Sequence, residues 1–114
     1  MKRKILRCDI YWADLLKLPN SSIIHGYRPV IIVSNNQSNA YSPLVTIVPL
    51  TSKEKRHLPT HIELDGFGLQ KVSIVLTEQL LSIDKSYLRD YIGTIDDLSV
   101  MQKIDECIKL QLAG

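Results

Sequence analysis

Tyr27-Arg28-Pro29-Val30-Ile31-Ile32-Val33 and Thr46-Ile47-Val48-Pro49-Leu50-Thr51-Ser52 decide the fold class. Each is a β-branched run of strand length with a polar residue where the run meets a loop. The first is apolar enough for burial on both sides. Short strands joined by polar, glycine-bearing connections predict an α+β, mainly β chain folded as a small closed or half-closed barrel. Arg28 and Thr51 then converge at one rim. An exposed arginine beside a threonine calls for an anionic ligand, because a planar guanidinium grips phosphate with a fork of donors. Phosphate chemistry is the first expectation.

Outward from these two runs, residues 5–12 read as a first strand. Residues 13–26, broken by Pro19, Asn20, Ser21 and Ser22, read as a long loop, functional or mobile. Residues 35–43 read as a turn-rich connection and 53–59 as a charged loop. Strands are expected over 60–64, 72–76 and 91–95, with a turn at Asp65-Gly66-Phe67-Gly68 and a single helical turn over 84–88. Leu98, Met101, Ile104, Ile108 and Leu112 fall at helical spacing behind Asp96 and Asp97. They predict one C-terminal amphipathic helix packed on the barrel.

At 114 residues the chain is long enough for one domain with an ordinary core, needing neither metal nor disulfide staples. Its 45% apolar and 23% charged residues exclude a disordered tail. A net charge of +2 permits a nucleic-acid partner without demanding one. The clustering is more informative: Lys2, Arg3, Lys4 and Arg7 crowd the start, and Lys53, Lys55, Arg56 and His57 fill one loop. Cys8 and Cys107 lie far apart with no CxxC spacing and no neighbouring histidine, so reduced thiols and no metal site are expected. No apolar run has signal-peptide or membrane-span length, which predicts a cytoplasmic protein without a membrane partner.

Five segments, in order and spacing, are similar to one family: Arg7 to Leu15, Gly26 to Val33, Pro49-Leu50-Thr51, Leu58 to Leu64, and Val75-Leu76-Thr77-Glu78-Gln79. Together they resemble the MazF/PemK toxin endoribonucleases, and the likeness extends through Ile83-Asp84-Lys85 and the terminal helix. The resemblance implies an SH3-like (CcdB/PemK-type) small barrel with a C-terminal helix, assembled as a homodimer. It further implies cofactor-free cleavage of single-stranded RNA and restraint by a cognate, MazE-like antitoxin. It places the catalytic arginine at Arg28 and the catalytic threonine at Thr51. Lys53, Leu58, Ser73 and Gln79 fall in RNA-contacting segments.

Three departures from the family stand out. Cys8 replaces a usual glycine, Ile23-Ile24-His25-Gly26 replaces a stretch with Glu, Gln and paired glycines, and Leu80-Leu81-Ser82 lacks a basic residue. With the Glu gone, His25 is the candidate proton acceptor, since imidazole titrates near the pH where a general base works. Lys53, Lys55 and Arg56 are candidates for phosphate contacts, and Asn35, Asn36 and Gln79 for reading unpaired base edges. Tyr11 and Trp12 are candidates for stacking. Strand alternation turns one of them inward, and Trp12 is expected in the core or at a dimer interface. Two other functions stay open: a gyrase poison of the same fold, and a non-catalytic RNA-binding module.

Overall fold

The computed structural model describes residues 3–52 and 61–113. Seven strands, β1 (Asp9–Leu15), β2 (Gly26–Ile32), β3 (Leu44–Ser52), β4 (Ile62–Leu64), β5 (Ser73–Val75), β6 (Leu81–Asp84) and β7 (Leu88–Thr94), form one antiparallel sheet. Two helices accompany them, α1 (Asn36–Tyr41) and α2 (Leu98–Ala113), with single 3-10 turns at Thr77–Gln79 and Lys85–Tyr87. The strand order is β4-β5-β3-β2-β1-β7, with β6 also paired to β3. Because β4 and β7 end the path without pairing to each other, the sheet is open. Of the closed or half-closed barrel expected, the open sheet rules out the closed form.

β3 is the hinge of this arrangement. Its residues 44–47 pair with β6, its residues 47–49 with β2, and Leu50, Thr51 and Ser52 with β5. Pro49, which lacks an N–H, sits where β3 changes partners, so its missing donor breaks no regular ladder. Thr51 is thereby carried beyond β2 to the cavity described below. Alternate residues of β2 enter two cores: Ile31 joins Ile10, Val48, Leu50, Met101 and Ile104, whereas Val30 and Ile32 join Tyr11, Val45, Ile47 and Ile83. All three β2 residues are fully buried, as a strand covered on both faces requires.

β1 starts only at Asp9, later than its apolar pattern predicts. Cys8 has φ +79°, and Asp9 N–H turns back to Leu6 O at 3.1 Å, so the chain cannot run straight from residue 5. At its other end β1 extends to Leu15, shortening the expected loop. Residues 35–43 hold a helix where a plain connection was expected. α1 has no apolar stripe to announce it. It is held instead by the Asn35 side chain, which accepts from Ser38 N–H at 2.8 Å, and by buried Asn39, which donates to Ser34 O at 2.9 Å.

α2 begins where expected. Asp97 Oδ1 accepts from Ser99 N–H (3.0 Å), Ser99 Oγ (2.8 Å) and Val100 N–H (3.3 Å), and these bonds, the Ser99 hydroxyl's first, hold its carboxyl below the ordinary value. The Arg7 guanidinium, donating to Val33 O and the Asp105 carboxylate, ties α2 to the end of β2. Only part of the predicted stripe is covered: Met101 and Ile104 are buried and Ile108 packs against them, but Leu98 and Leu112 are exposed. No described helix is long and apolar enough to cross a membrane.

Candidate active site

A cavity of about 410 Å³ opens where β1, β2, β3 and β7 meet the segment after the Gly66–Gly68 turn. Arg28 and Thr51 both line it, with Trp12, Tyr27, Ser52, Ser73 and Tyr91. The backbone explains how one wall is built. Gly68 has φ +91°, and a Cβ there would meet Ile92 O at 2.2 Å; a Cβ on Gly93 would meet Phe67 O at 1.9 Å. Two glycines therefore let the turn lie backbone to backbone on β7. That contact delivers Leu69, Gln70 and Lys71 to the cavity.

Arg28 is half-buried, and its Nε donates to His25 O at 3.0 Å. No ion pair joins it to a carboxylate among the described residues. The two obvious acidic neighbours are engaged elsewhere: Asp14 with Arg89 Nη2 at 2.7 Å, and Glu78 with His61 Nε2 at 2.9 Å. The ends of the guanidinium fork are thus left for a ligand. Thr51 is buried, and its Oγ1 has no hydrogen-bond partner among the described residues. A buried hydroxyl without a partner costs free energy, so this one is a donor lacking an acceptor.

Burial pushes the Cys8 thiol above its ordinary value, against a weaker opposing effect of Arg7. Burial, with Asp9 adding to it, also pushes the Tyr11 phenol up. Neither supplies a thiolate or phenolate at neutral pH. Among the described residues there is no group of three or more His, Cys, Asp and Glu side chains placed to hold a metal ion.

The remaining sequence candidates divide. Ser73 lines the cavity, its Oγ donating to Lys71 O at 3.0 Å. His25 is exposed and gives the site its backbone carbonyl, while its ring is not part of the cavity wall. Gln79 braces the long loop, its Oε1 accepting from Ile24 N–H at 2.7 Å. Asn35 caps α1, and Asn36 accepts from Arg7 N–H at 2.7 Å; neither lines this cavity. Lys53, Lys55, Arg56 and Leu58 lie outside the described residues. Of the two aromatic candidates Tyr11 is the buried one and Trp12 faces the cavity, which corrects the expected core position of Trp12. Lys71, Gln70 and Tyr91 carry no sequence signal, since only the Gly68–Gly93 contact and the pairing of β7 bring them in.

The family model for PemK-like, MazF-like toxins of type II toxin-antitoxin systems matches residues 6–112. Endoribonuclease EndoA of Bacillus subtilis (strain 168) is 38% identical over 112 residues, spanning 96% of this chain and 95% of that protein. A mycobacterial endoribonuclease solved in complex with its cognate antitoxin superposes with a TM-score of 0.74 at 26% identity, covering 98% of this chain and 96% of its own. MazF from Deinococcus radiodurans, at 18% identity, shares the fold with a TM-score of 0.83 over 99% of this chain and all of its own.

Proposed function

This chain belongs to the PemK-like, MazF-like family of type II toxin-antitoxin toxins, and from that premise we propose that it cuts single-stranded RNA with Arg28 and Thr51, working in the cytoplasm under the control of an antitoxin. The supporting observation is one cavity wall that carries both a guanidinium whose ends have no partner and a buried hydroxyl without an acceptor, among the described residues. A scissile phosphate completes both.

In the proposed reaction the ribose 2′-oxygen attacks the adjacent phosphorus. The O2′–P bond forms and the P–O5′ bond breaks; the 2′-hydroxyl gives its proton to solvent and the leaving O5′ takes one from solvent, so the products carry a 2′,3′-cyclic phosphate and a 5′-hydroxyl. Arg28, held by its Nε bond to His25 O, presents its remaining N–H groups to the phosphoryl oxygens where charge develops. Rotation of Thr51 about χ1 turns its hydroxyl to the same phosphate and fixes it for in-line attack. Lys71 supplies a second positive charge to the same cavity. A MazE-like antitoxin that covers this cavity, and a second copy of the chain against the exposed leucines of α2, complete the assembly in this reading.

The test is incubation of the purified protein with a long RNA in EDTA. Discrete cuts with 5′-hydroxyl ends are expected, and Arg28→Ala is expected to slow them about 10²–10³-fold, the effect of removing one preorganised oxyanion donor. Retention of RNA without cuts supports the non-catalytic binder, and inhibition of supercoiling supports the gyrase poison. Mapping the 5′ ends gives the recognition sequence.

A further inference from the structure

The rings of Trp12 and Tyr27 lie parallel in the cavity wall, with centroids 4.8 Å apart and an interplanar angle of 4°. The pairing of β1 with β2 sets this up. Trp12 stands opposite Pro29, and Tyr27 is the diagonal neighbour on the same face, within reach of a large ring. Parallel rings with centroids this far apart are stacked with an offset, whereas Tyr11 and Tyr91 meet edge to face at 72°. Two parallel, offset rings resemble the start of a base stack. Tyr27 is 50% exposed although Trp12 covers one of its faces, so the exposure belongs to the other face and the rim. Arg28, the group that would hold the scissile phosphate, lines the same cavity as both rings.

We propose that Trp12 and Tyr27 form a prestacked platform for the nucleobase flanking the cut, with the base lying on the open face of Tyr27. The subsite deepens the nuclease reading and rests on it for its substrate class. Single-stranded RNA offers unpaired bases with a free π-face, and such bases are commonly held by stacking on aromatic side chains. Pre-stacking by Trp12 fixes the Tyr27 ring before the base arrives, so little side-chain freedom remains to be lost. The platform positions the strand through a π-face and thus tolerates several bases. Gln70, on the same cavity wall, can discriminate among them at their edges.

The chain contains a single tryptophan, so its fluorescence reports on this site alone. The experiment titrates the full-length protein with four 2′-O-methyl homo-oligonucleotides, of A, C, G and U, none of which can be cut by 2′-oxygen attack. At least one is expected to quench Trp12 saturably. The same oligomer made abasic, with its phosphates intact, is expected to lose the quench. Tyr27→Ala is expected to weaken binding by about 5- to 150-fold, the range for one base–aromatic stack, and Tyr27→Phe to preserve it. Absence of quenching by all four, or equal quenching by the abasic oligomer, overturns the platform with the wild-type protein alone. Equal affinity of Tyr27→Ala and wild type overturns it too. Failure of the nuclease reading shows separately, as a long RNA left uncut while the oligomers still bind.

Discussion

Thr51 separates function from stability at a single atom. Its hydroxyl is buried with no partner among the described residues, in a strand where a β-branched side chain is at home. Thr51→Val keeps the shape and removes the unpaired oxygen. The free energy of unfolding is therefore expected to stay level or rise by up to about 1 kcal/mol, because deleting an unsatisfied buried polar group removes a desolvation cost. Cleavage is expected to fall about 10- to 150-fold, the worth of one hydrogen bond to a charged phosphate. Denaturant melts and single-turnover rates on the same samples check both signs, and a variant both less stable and fully active would remove Thr51 from the site. Arg28 and Thr51 were legible as residues because each ends a strand-length apolar run with a polar group. For His25 the sequence gives the distance from Arg28 along the chain but not which part of the residue faces inward; in the structure its carbonyl meets Arg28 and its ring lies outside the cavity wall.

Elements that announce themselves by periodicity were legible, and those held by polar side chains or by backbone contact were not. β2, β3 and α2 follow from runs and stripes. α1 does not, since an asparagine cap and a buried Asn39 replace an apolar face. β6 depends on pairing with the first half of β3, a long-range choice that Leu80-Leu81-Ser82 does not signal. The turn at 66–68 was read correctly as a turn, but its role came from a contact with β7. Phe67 O would sit 1.9 Å from a Cβ on Gly93, far inside any tolerated approach. Gly93→Ala is expected to lift the turn from β7 at a cost of about 1–3 kcal/mol, as overpacking does. Because Gly68 to Lys71 form part of the cavity wall, cleavage should drop by more than the loss of folded protein explains. A thermal melt paired with activity per folded molecule tests this; unchanged activity per folded molecule would detach the turn from the site.

For the molecule as a whole, a small excess of positive charge must be concentrated to hold a polyanion. A net +2 spread evenly would give little attraction, and three of the four described arginines are already neutralised: Arg7 by Asp105, Arg89 by Asp14, Arg3 by Asp9. Arg28 and Lys71 differ, both lining the cavity with no carboxylate partner among the described residues. The sequence drew attention to the cations at 53–57 and passed over Lys71, a lone lysine between a glycine turn and a short strand. Each lysine that neutralises one phosphate releases condensed counterions, so log Kd for a single strand changes with log salt by about 0.7 per contact. Lys71→Ala is expected to weaken binding of every 2′-O-methyl oligomer alike and to flatten that slope by about 0.7. Tyr27→Ala removes a stack and no charge, so it should weaken binding while leaving the slope as it was. Affinities measured across a salt series for the two variants therefore resolve the cavity into a phosphate-holding part and a base-holding part. A slope identical to wild type in Lys71→Ala would show that the strand passes the cavity without touching this lysine.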